Sequence, residues 1–102
     1  MIIHSVSFSL KEGFSNKEKM DFFSAVLRLK GIPDVENFTC LRQISSKNPY
    51  DFIISMEFES EEFYKQYNDH PEHLQFIQHY WLKFIKEFQQ ADFTSFNMED
   101  LK

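Results

Sequence analysis

Cysteine is scarce in this sequence: Cys40 stands alone, so no disulfide can form within the chain. A lone cysteine suits a reducing compartment, where the thiol behaves as a small apolar residue. The N-terminus lacks the basic segment and apolar run of a secretory signal peptide. No apolar segment approaches the roughly 20 residues that a membrane-spanning helix needs. From these absences we expect a cytoplasmic protein with no membrane partner.

Positive charge and glycine are also in short supply. Lys and Arg number 11 against 16 Asp and Glu, so the formal net charge is −5. The basic residues are scattered, whereas a nucleic-acid-binding protein usually carries a basic stripe. Gly13 and Gly31 are the two glycines, and neither belongs to a phosphate-binding loop. We therefore expect neither a nucleic-acid partner nor a cofactor.

Aromatic side chains are abundant by contrast. The 102 residues include 13 phenylalanines, and 42% of the chain is hydrophobic. This is enough apolar material for one core, and the length suits a single domain. We place that domain at residues 1–97, followed by a loose C-terminal tail at residues 98–102.

The N-terminal segment alternates between two kinds of side chain, as a half-buried strand does. One face carries His4, Val6, Phe8 and Leu10, and the other carries Ser5, Ser7 and Ser9. Three further strands are predicted at residues 36–44, 50–58 and 91–96. In the third strand, one face is formed by Phe52, Ile54, Met56 and Phe58.

Ser15 and Glu18 have the spacing of a capping box, which predicts the start of the first helix. Gly31 and Pro33 predict its end. Two apolar sets recur at helical spacing, and we expect the first of them to face the core. The first set is Met20, Phe23, Val26 and Leu27, and the second, smaller set is Phe22, Ala25 and Leu29.

Ser60 predicts the start of a short second helix. Pro71 predicts the start of a long helix, since proline is accepted at the first helical position. An apolar stripe follows Pro71 at helical spacing. Its members are His73, Leu74, Ile77, Trp81, Phe84, Ile85 and Phe88. Phe76 is expected to project away from this stripe.

The order strand, helix, strand, strand, helix, strand is typical of an α+β protein. It predicts a ferredoxin-like split βαβ sandwich, with helices on one face of an antiparallel four-stranded sheet. The other face is small and mixed in polarity, and its members are Ser5, Ser7, Ser9, Leu41, Gln43, Ile53 and Ser55. Two such faces could join in a symmetric dimer, or one could remain wet in a monomer. The residue pattern leaves both open.

A candidate site lies around the start of the long helix. His73 falls in its first turn, near the positive end of the helix dipole, where an imidazolium is disfavoured. A neutral His73 could remove a proton while Tyr67 donates a hydrogen bond to a neighbouring carbonyl oxygen. This pair suits aldol-type cyclisation or isomerisation. The alternative is that both residues simply hold the helix break together.

The other histidines have simpler interpretations. His4 is expected under the helices, as a buried neutral histidine bonded to backbone or to Tyr67, or else in a chemical role. His70 is expected to cap the helix that begins at Pro71. His70 and His73 lack a third convergent ligand, so we expect no metal site.

Several segments together resemble the stress-responsive alpha/beta barrel domain (Dabb) family of the dimeric alpha/beta barrel superfamily. They are His4-Ser5-Val6-Ser7-Phe8, Tyr50-Asp51, Phe58-Glu59-Ser60, Tyr67-x-x-His70-Pro71-x-His73 and Ala91-Asp92-Phe93. The resemblance covers roughly residues 1–96. It implies a ferredoxin-like protomer that pairs sheet to sheet into a homodimer, a dimeric α/β barrel.

The resemblance says less about activity, because most members have none assigned. One plant member is a polyketide cyclase, whose pocket tyrosine and histidine correspond to Tyr67 and His73, and a further pocket histidine to His4. Phe52 and Val26 replace a histidine and a tyrosine of that pocket, so its substrate is not carried over.

On this basis we expect a hydrophobic pocket for a small apolar or aromatic carbonyl compound. Tyr67 and His73 are the candidate catalytic residues. The expected ligand-binding residues are His4, Phe23, Phe52 and Trp81. Two alternatives stay open: a non-catalytic, stress-associated dimer that acts through its surface, and a monooxygenase-like activity as in superfamily relatives.

Overall fold

A four-stranded antiparallel sheet forms the frame of the protein, and helices cover one of its faces. The computed structural model describes residues 1–101. The elements are β1 (Ile2–Leu10), α1 (Asn16–Arg28), β2 (Glu36–Arg42), β3 (Phe52–Phe58), α2 (Glu61–Asp69), α3 (Pro71–Phe76), α4 (Leu82–Phe84) and β4 (Ile85–Phe93). The strand order is β2-β3-β1-β4. This confirms the predicted α+β architecture with its split βαβ order.

The C-terminal residues are more regular than predicted. Met98–Leu101 forms a short 3₁₀ turn where we expected a loose tail. Lys102, the last residue of that predicted tail, lies outside the described residues.

The alternation predicted for β1 is confirmed, and it determines what faces the helices. Phe8 is fully buried, and it is paired with Phe52 on β3 and with Phe88 on β4. His4 is also buried, and it lies directly opposite Met56 and Asp92. Because side chains on one strand alternate between faces, these pairs place all six residues on the helix-covered side.

The opposite face of the sheet carries the predicted serines, but Ser5 and Ser9 are less exposed to solvent than their polarity suggests. Ser5 and Ser9 are 7% and 9% exposed. The Ser5 hydroxyl donates to the Ala91 carbonyl oxygen at 2.7 Å, and the Ser9 hydroxyl accepts from the Asp51 amide at 3.3 Å. These short side chains form hydrogen bonds with backbone groups of neighbouring segments, so they project little from the outer face of the sheet.

Helix α1 begins as predicted. The Glu18 amide donates to the Ser15 hydroxyl at 3.2 Å, and the Ser15 amide donates to the Glu18 carboxylate at 3.0 Å. This reciprocal pair satisfies two of the amides that a helix start leaves without intrahelical partners. The capping box therefore sets where the helix begins.

The buried face of α1 was predicted wrongly. The core side chains are Phe22, Ala25, Val26 and Leu29, whereas Met20 and Leu27 are 69% and 46% exposed. The four buried positions follow the i, i+3, i+4, i+7 spacing of one narrow face. Phe22 decides the orientation, because its ring packs against Phe8 and Phe84 with centroids 5.9 and 5.2 Å away.

The helix that starts at Pro71 is shorter than predicted. It passes through a π-helical turn at Ile77–Trp81, in which the Leu82 amide donates to the Ile77 carbonyl, and it ends at Phe84. The last strand begins at Ile85 and ends at Phe93, where we expected residues 91–96. The reason is tertiary: β4 pairs with β1 along nearly its whole length, and this pairing overrides the helical spacing of Phe84 and Phe88.

The buried face of this helix was also predicted wrongly. Phe76 is 7% exposed, whereas Leu74 is 50% exposed. The predicted apolar stripe included Phe88 as a helical residue, although Phe88 lies on β4. The buried and half-buried positions between Pro71 and Phe84 centre instead on the side of the helix that carries Phe76. They are His73, Phe76, Ile77, Tyr80, Trp81 and Phe84.

The assignment of the α1 face can be tested with a matched pair of variants. Phe22→Ala should lower the free energy of unfolding by about 3–5 kcal/mol, because it opens a cavity in a fully buried cluster. Met20→Ala should change it by less than about 0.5 kcal/mol. Chemical denaturation of both variants measures the difference. Equal losses in the two variants would contradict the orientation described for α1.

Candidate functional site

A cavity of about 320 Å³ lies between the inner face of the sheet and the segment from α2 to α4. Most of its wall is apolar. The apolar members are Val6, Leu29, Ile54, Met56, Phe76, Ile77, Trp81, Leu82 and Phe88. Polar groups come from five residues, namely His4, Tyr67, Asn68, His73 and Gln90. An apolar concave site with a few convergent polar groups is the usual form of a small-molecule site.

Four of the six residues predicted for the pocket border this cavity: His4, Tyr67, His73 and Trp81. Phe23 and Phe52 do not. Their rings contact each other, with centroids 4.9 Å apart, and they line a separate cleft near the other end of β1.

The separation follows from the strand register. Phe52 is paired with Phe8, whereas Met56, on the cavity wall, is paired with His4. At about 3.3 Å per residue, Phe52 lies about 13 Å along the strand from Met56. The structure therefore distributes the predicted residues over two sites.

The break between α2 and α3 brings Tyr67 and His73 together. Their ring centroids are 4.6 Å apart. His70 caps α3, since its Nδ1 accepts from the Glu72 amide at 3.1 Å. The chain turns there because Pro71 lacks an amide hydrogen and pushes His70 into extended backbone. The predicted capping role of His70 is thus confirmed.

The hydrogen bond of His73 determines its tautomer. Its Nδ1 lies 3.1 Å from the carbonyl oxygen of Asn68. A carbonyl oxygen only accepts, so Nδ1 must carry the hydrogen. In the neutral ring, Nε2 therefore holds a lone pair and has no protein partner among residues 1–101.

Burial sets the protonation of both rings. It lowers the pKa of His73, and although the Asn68 carbonyl opposes this, the charges of His4 and His70 add to the lowering. Burial also raises the pKa of Tyr67, with a smaller contribution from Tyr64. The site therefore combines a neutral imidazole with a protonated phenol at neutral pH. The pKa of His73 is lowered, as predicted, but the main cause is burial rather than the helix dipole.

The hydroxyl of Tyr67 faces the cavity. The Tyr67 side chain is 2% exposed, and its hydroxyl makes no hydrogen bond within residues 1–101. Nevertheless, no buried side-chain nitrogen or oxygen of the described chain lacks a partner. The hydroxyl must therefore reach accessible space, and the space that Tyr67 borders is the cavity. It is a donor available to a ligand.

A polar network around His4 was not predicted. His4 Nδ1 lies 2.6 Å from Asp92 Oδ1 and 3.0 Å from the Tyr64 hydroxyl. The Tyr64 hydroxyl donates to Asp92 Oδ2 at 3.0 Å, and Gln90 Nε2 donates to the same oxygen at 2.9 Å. His4 is buried as expected, but its partners are Asp92 and Tyr64 rather than backbone or Tyr67.

The network also shifts the pKa values of Asp92 and Tyr64. Burial alone would raise the pKa of Asp92, but hydrogen bonds from His4, Gln90 and Tyr64 outweigh it and lower that pKa. Burial and the Asp92 carboxylate raise the pKa of Tyr64 to about 12. One sequence signal could have found Tyr64: it precedes Tyr67 by three positions and so shares its helix face.

Neither a metal-binding cluster nor a membrane-spanning helix occurs within residues 1–101. Within residues 1–101, no three His, Cys, Asp or Glu side chains converge in a way that could hold a metal ion. No helix in that part of the chain combines the length and apolar character required to span a bilayer.

The sheet order, the helical layer and the cavity beneath it define a ferredoxin-like domain, and comparisons with solved structures agree. The crystal structure of a Dabb family protein with a ferredoxin-like fold from Mesorhizobium loti is 37% identical, with a TM-score of 0.88 over 94% of this chain and 97% of that one. A dimeric ferredoxin-like protein of unknown function from Thermobifida fusca is 20% identical, with a TM-score of 0.78 over 92% and 90%. Hydroxynitrile lyase from Passiflora edulis is 13% identical, with a TM-score of 0.80 over 90% of each chain.

The family model described as the stress responsive A/B barrel domain matches residues 2–95. The chain therefore belongs to the Dabb family. This confirms the family and the fold inferred from the sequence. No protein with a curated functional description matches it significantly.

The lowered pKa of His73 predicts how stability depends on pH. The unfolded chain takes up a proton near the ordinary value of 6.5, whereas folded His73 resists it. The free energy of unfolding should therefore be full above that pH and fall as the pH drops through it. His73→Gln should make this loss smaller in denaturation curves measured between pH 8 and pH 5. The exposed His79→Gln serves as the control, and an identical pH dependence in wild type and His73→Gln would contradict the prediction.

Proposed function

We propose that this protein is a homodimer in which each protomer binds a small apolar or aromatic carbonyl compound and transfers a proton on it. The single observation that carries the proposal is that the rings of Tyr67 and neutral His73 lie 4.6 Å apart on the wall of a mainly apolar cavity of about 320 Å³. Apolar walls suit a ligand with little charge, and the two polar groups suit a carbonyl and the carbon beside it.

The proposed chemistry uses one donor and one base. The Tyr67 hydroxyl donates a hydrogen bond to the carbonyl oxygen of the ligand. His73 Nε2 takes a proton from the adjacent carbon, so the C–H bond breaks and its electron pair moves into the carbonyl as an enolate. The raised pKa of Tyr67 keeps its proton on the phenol, and the lowered pKa of His73 keeps the base neutral.

The cavity favours this function over action through the surface alone. A protein that acts only through its surface would need no open cavity, and side chains such as Phe23, Phe52 and Trp81 could fill it. Phe23 and Phe52 line the other cleft instead. Hydroxynitrile lyase has the same fold, which shows that the fold can carry an enzyme. The surface-acting and monooxygenase-like alternatives, the cytoplasmic location and the absence of a nucleic-acid partner stay predictions.

The proposed dimer joins two outer sheet faces. Large apolar side chains remain exposed at both edges of that face, with Leu41 on β2 at 56% and Phe93 on β4 at 54%. Ser5 and Ser7 lie between them, and such small side chains allow a close approach. The structural relative from Thermobifida fusca is described as dimeric, which supports the proposal.

The carbonyl chemistry can be tested with acetophenone as the probe. Binding is measured by calorimetry, and proton removal by deuterium uptake at the acetophenone methyl group in D₂O. Wild type should accelerate the uptake, and His73→Ala and Tyr67→Phe should each lower the rate by about 100-fold, since each removes one catalytic group.

His79→Ala is the matched control, because His79 is exposed on the same helical segment, and its rate should equal that of wild type. Failure of wild type to bind acetophenone or to accelerate the uptake would refute the proposed carbonyl function. Equal rates in wild type and both site variants would remove these residues from the mechanism.

The dimer has its own test. Leu41→Glu places a charge in the proposed interface and should weaken dimerisation by at least about 10-fold, because a buried charge there has no partner. Sedimentation equilibrium measures the effect. Leu27→Glu is the control, since Leu27 is similarly exposed on α1, on the other side of the molecule. A wild-type protein that sediments as a monomer would contradict the proposal.

A further inference from the structure

The His4 network fixes one ring nitrogen of His4 and leaves the other for the cavity. The lowered pKa of Asp92 keeps it ionised at neutral pH, and an ionised carboxylate only accepts hydrogen bonds. His4 Nδ1, 2.6 Å from Asp92 Oδ1, must therefore carry the hydrogen. In the neutral ring, the lone pair then lies on Nε2.

His4 Nε2 is open to the cavity. The residue is 6% exposed, and its hydrogen bonds to Asp92 and Tyr64 both involve Nδ1. No buried side-chain nitrogen or oxygen within residues 1–101 lacks a partner, so Nε2 reaches accessible space. His4 borders the cavity, which is where that space lies.

The carboxylate that orients His4 is itself held firmly. Asp92 lies opposite His4 in the β1–β4 ladder, so the backbone already aligns the two side chains. Tyr64 and Gln90 both donate to Asp92 Oδ2, and Gln90 also donates to the Tyr64 hydroxyl at 3.1 Å. A carboxylate fixed in this way holds the ring of its histidine in one orientation.

We propose that His4 is a second proton-transfer group of the cavity and that Asp92 is the positioning residue that sets its tautomer. The inference rests on the proposed function and adds a second base to it. Tyr67 contacts both imidazoles, with ring centroids 6.2 Å from His4 and 4.6 Å from His73. A ligand whose carbonyl oxygen is bound to the Tyr67 hydroxyl therefore lies near two imidazole bases, His4 and His73.

The step at His4 balances within the site. Nε2 forms an N–H bond with a proton from a C–H or O–H group of the ligand, and the electron pair of the broken bond stays on the ligand. The enolate or alkoxide oxygen that results is held by the Tyr67 hydroxyl. Asp92 neutralises the imidazolium until the proton returns to the ligand or passes to water.

The ligand-free protein gives the first test. The ¹⁵N shifts of the histidine rings, measured by NMR near pH 8, should show His4 with its hydrogen on Nδ1. Asp92→Ala should lose this tautomer, whereas Tyr64→Phe should keep it, because the contact between His4 and Asp92 remains. Glu59→Ala is the control for loss of an acidic residue, since Glu59 is exposed on the loop after β3.

The second test uses deuterium uptake by acetophenone. Asp92→Ala and His4→Gln should each lower the rate by about 10- to 100-fold. The affinity of Asp92→Ala for acetophenone should stay unchanged, because Asp92 does not border the cavity. A hydrogen on Nε2 in wild-type His4 would overturn the inference even if Asp92→Ala did not fold. So would wild-type rates in both variants.

The two proposals fail separately. A wild-type protein that does not bind acetophenone refutes the proposed function, and with it the proton-transfer role given to His4. The tautomer measurement then still decides whether Asp92 positions His4, because it needs neither ligand nor turnover.

Discussion

The pairing of β4 with β1 is the constraint on which the rest of the structure depends. It ends the helical segment at Phe84 and returns the chain to the sheet from Ile85 onward. The pairing is antiparallel and runs with one irregularity, between Ser9 and Leu10. Because β4 continues the sheet beneath α2 and α3, it supplies one wall of the cavity.

Two features of the candidate site and one of the proposed dimer face follow from that pairing. Phe88 lies against Trp81, with ring centroids 5.6 Å apart, and both border the cavity. Asp92 lies opposite His4, close enough to bind its ring. On the other side of the sheet, the alternation leaves Phe93 exposed at the edge of the proposed dimer face. One strand thus contributes to the site on one face and to assembly on the other.

The polar groups of the cavity form two sets with different origins. Tyr67 and His73 come from a local feature, the break at Pro71, and their protonation states follow mainly from burial. His4 and Asp92 come from two strands far apart in the chain, and a charge-assisted hydrogen bond links them. Tyr67, His73 and His4 border the same mainly apolar cavity, where each donor or base has more effect than it would in water.

The sequence was sufficient for features that depend on neighbours in the chain. The alternation of β1, the capping box at Ser15 and Glu18, and the cap at His70 were all predicted, because their patterns span a few residues. The buried face of α1 was not, because two apolar sets compete on one helix and Val26 fits both. Packing of Phe22 against Phe8 settles the choice, and that contact is tertiary.

Tertiary contacts also explain why the start of β4 and the partners of His4 were not predicted. Phe84 and Phe88 keep helical spacing with Trp81, so the pattern alone continues the helix into what is β4. An error in where β4 begins hides the register, and the register is what brings Asp92 to His4 across 88 positions of sequence. Phe23 and Phe52 were predicted to line the same pocket as His73, but they line a different cleft in the structure.

The most direct test of the central claim is a crystal structure of the protein with acetophenone bound. The account predicts the ligand in the cavity beneath α3, with its carbonyl oxygen about 2.8 Å from the Tyr67 hydroxyl and its methyl carbon facing an imidazole nitrogen. Acetophenone bound in the cleft of Phe23 and Phe52, or a cavity closed by side chains at saturating ligand, would contradict it.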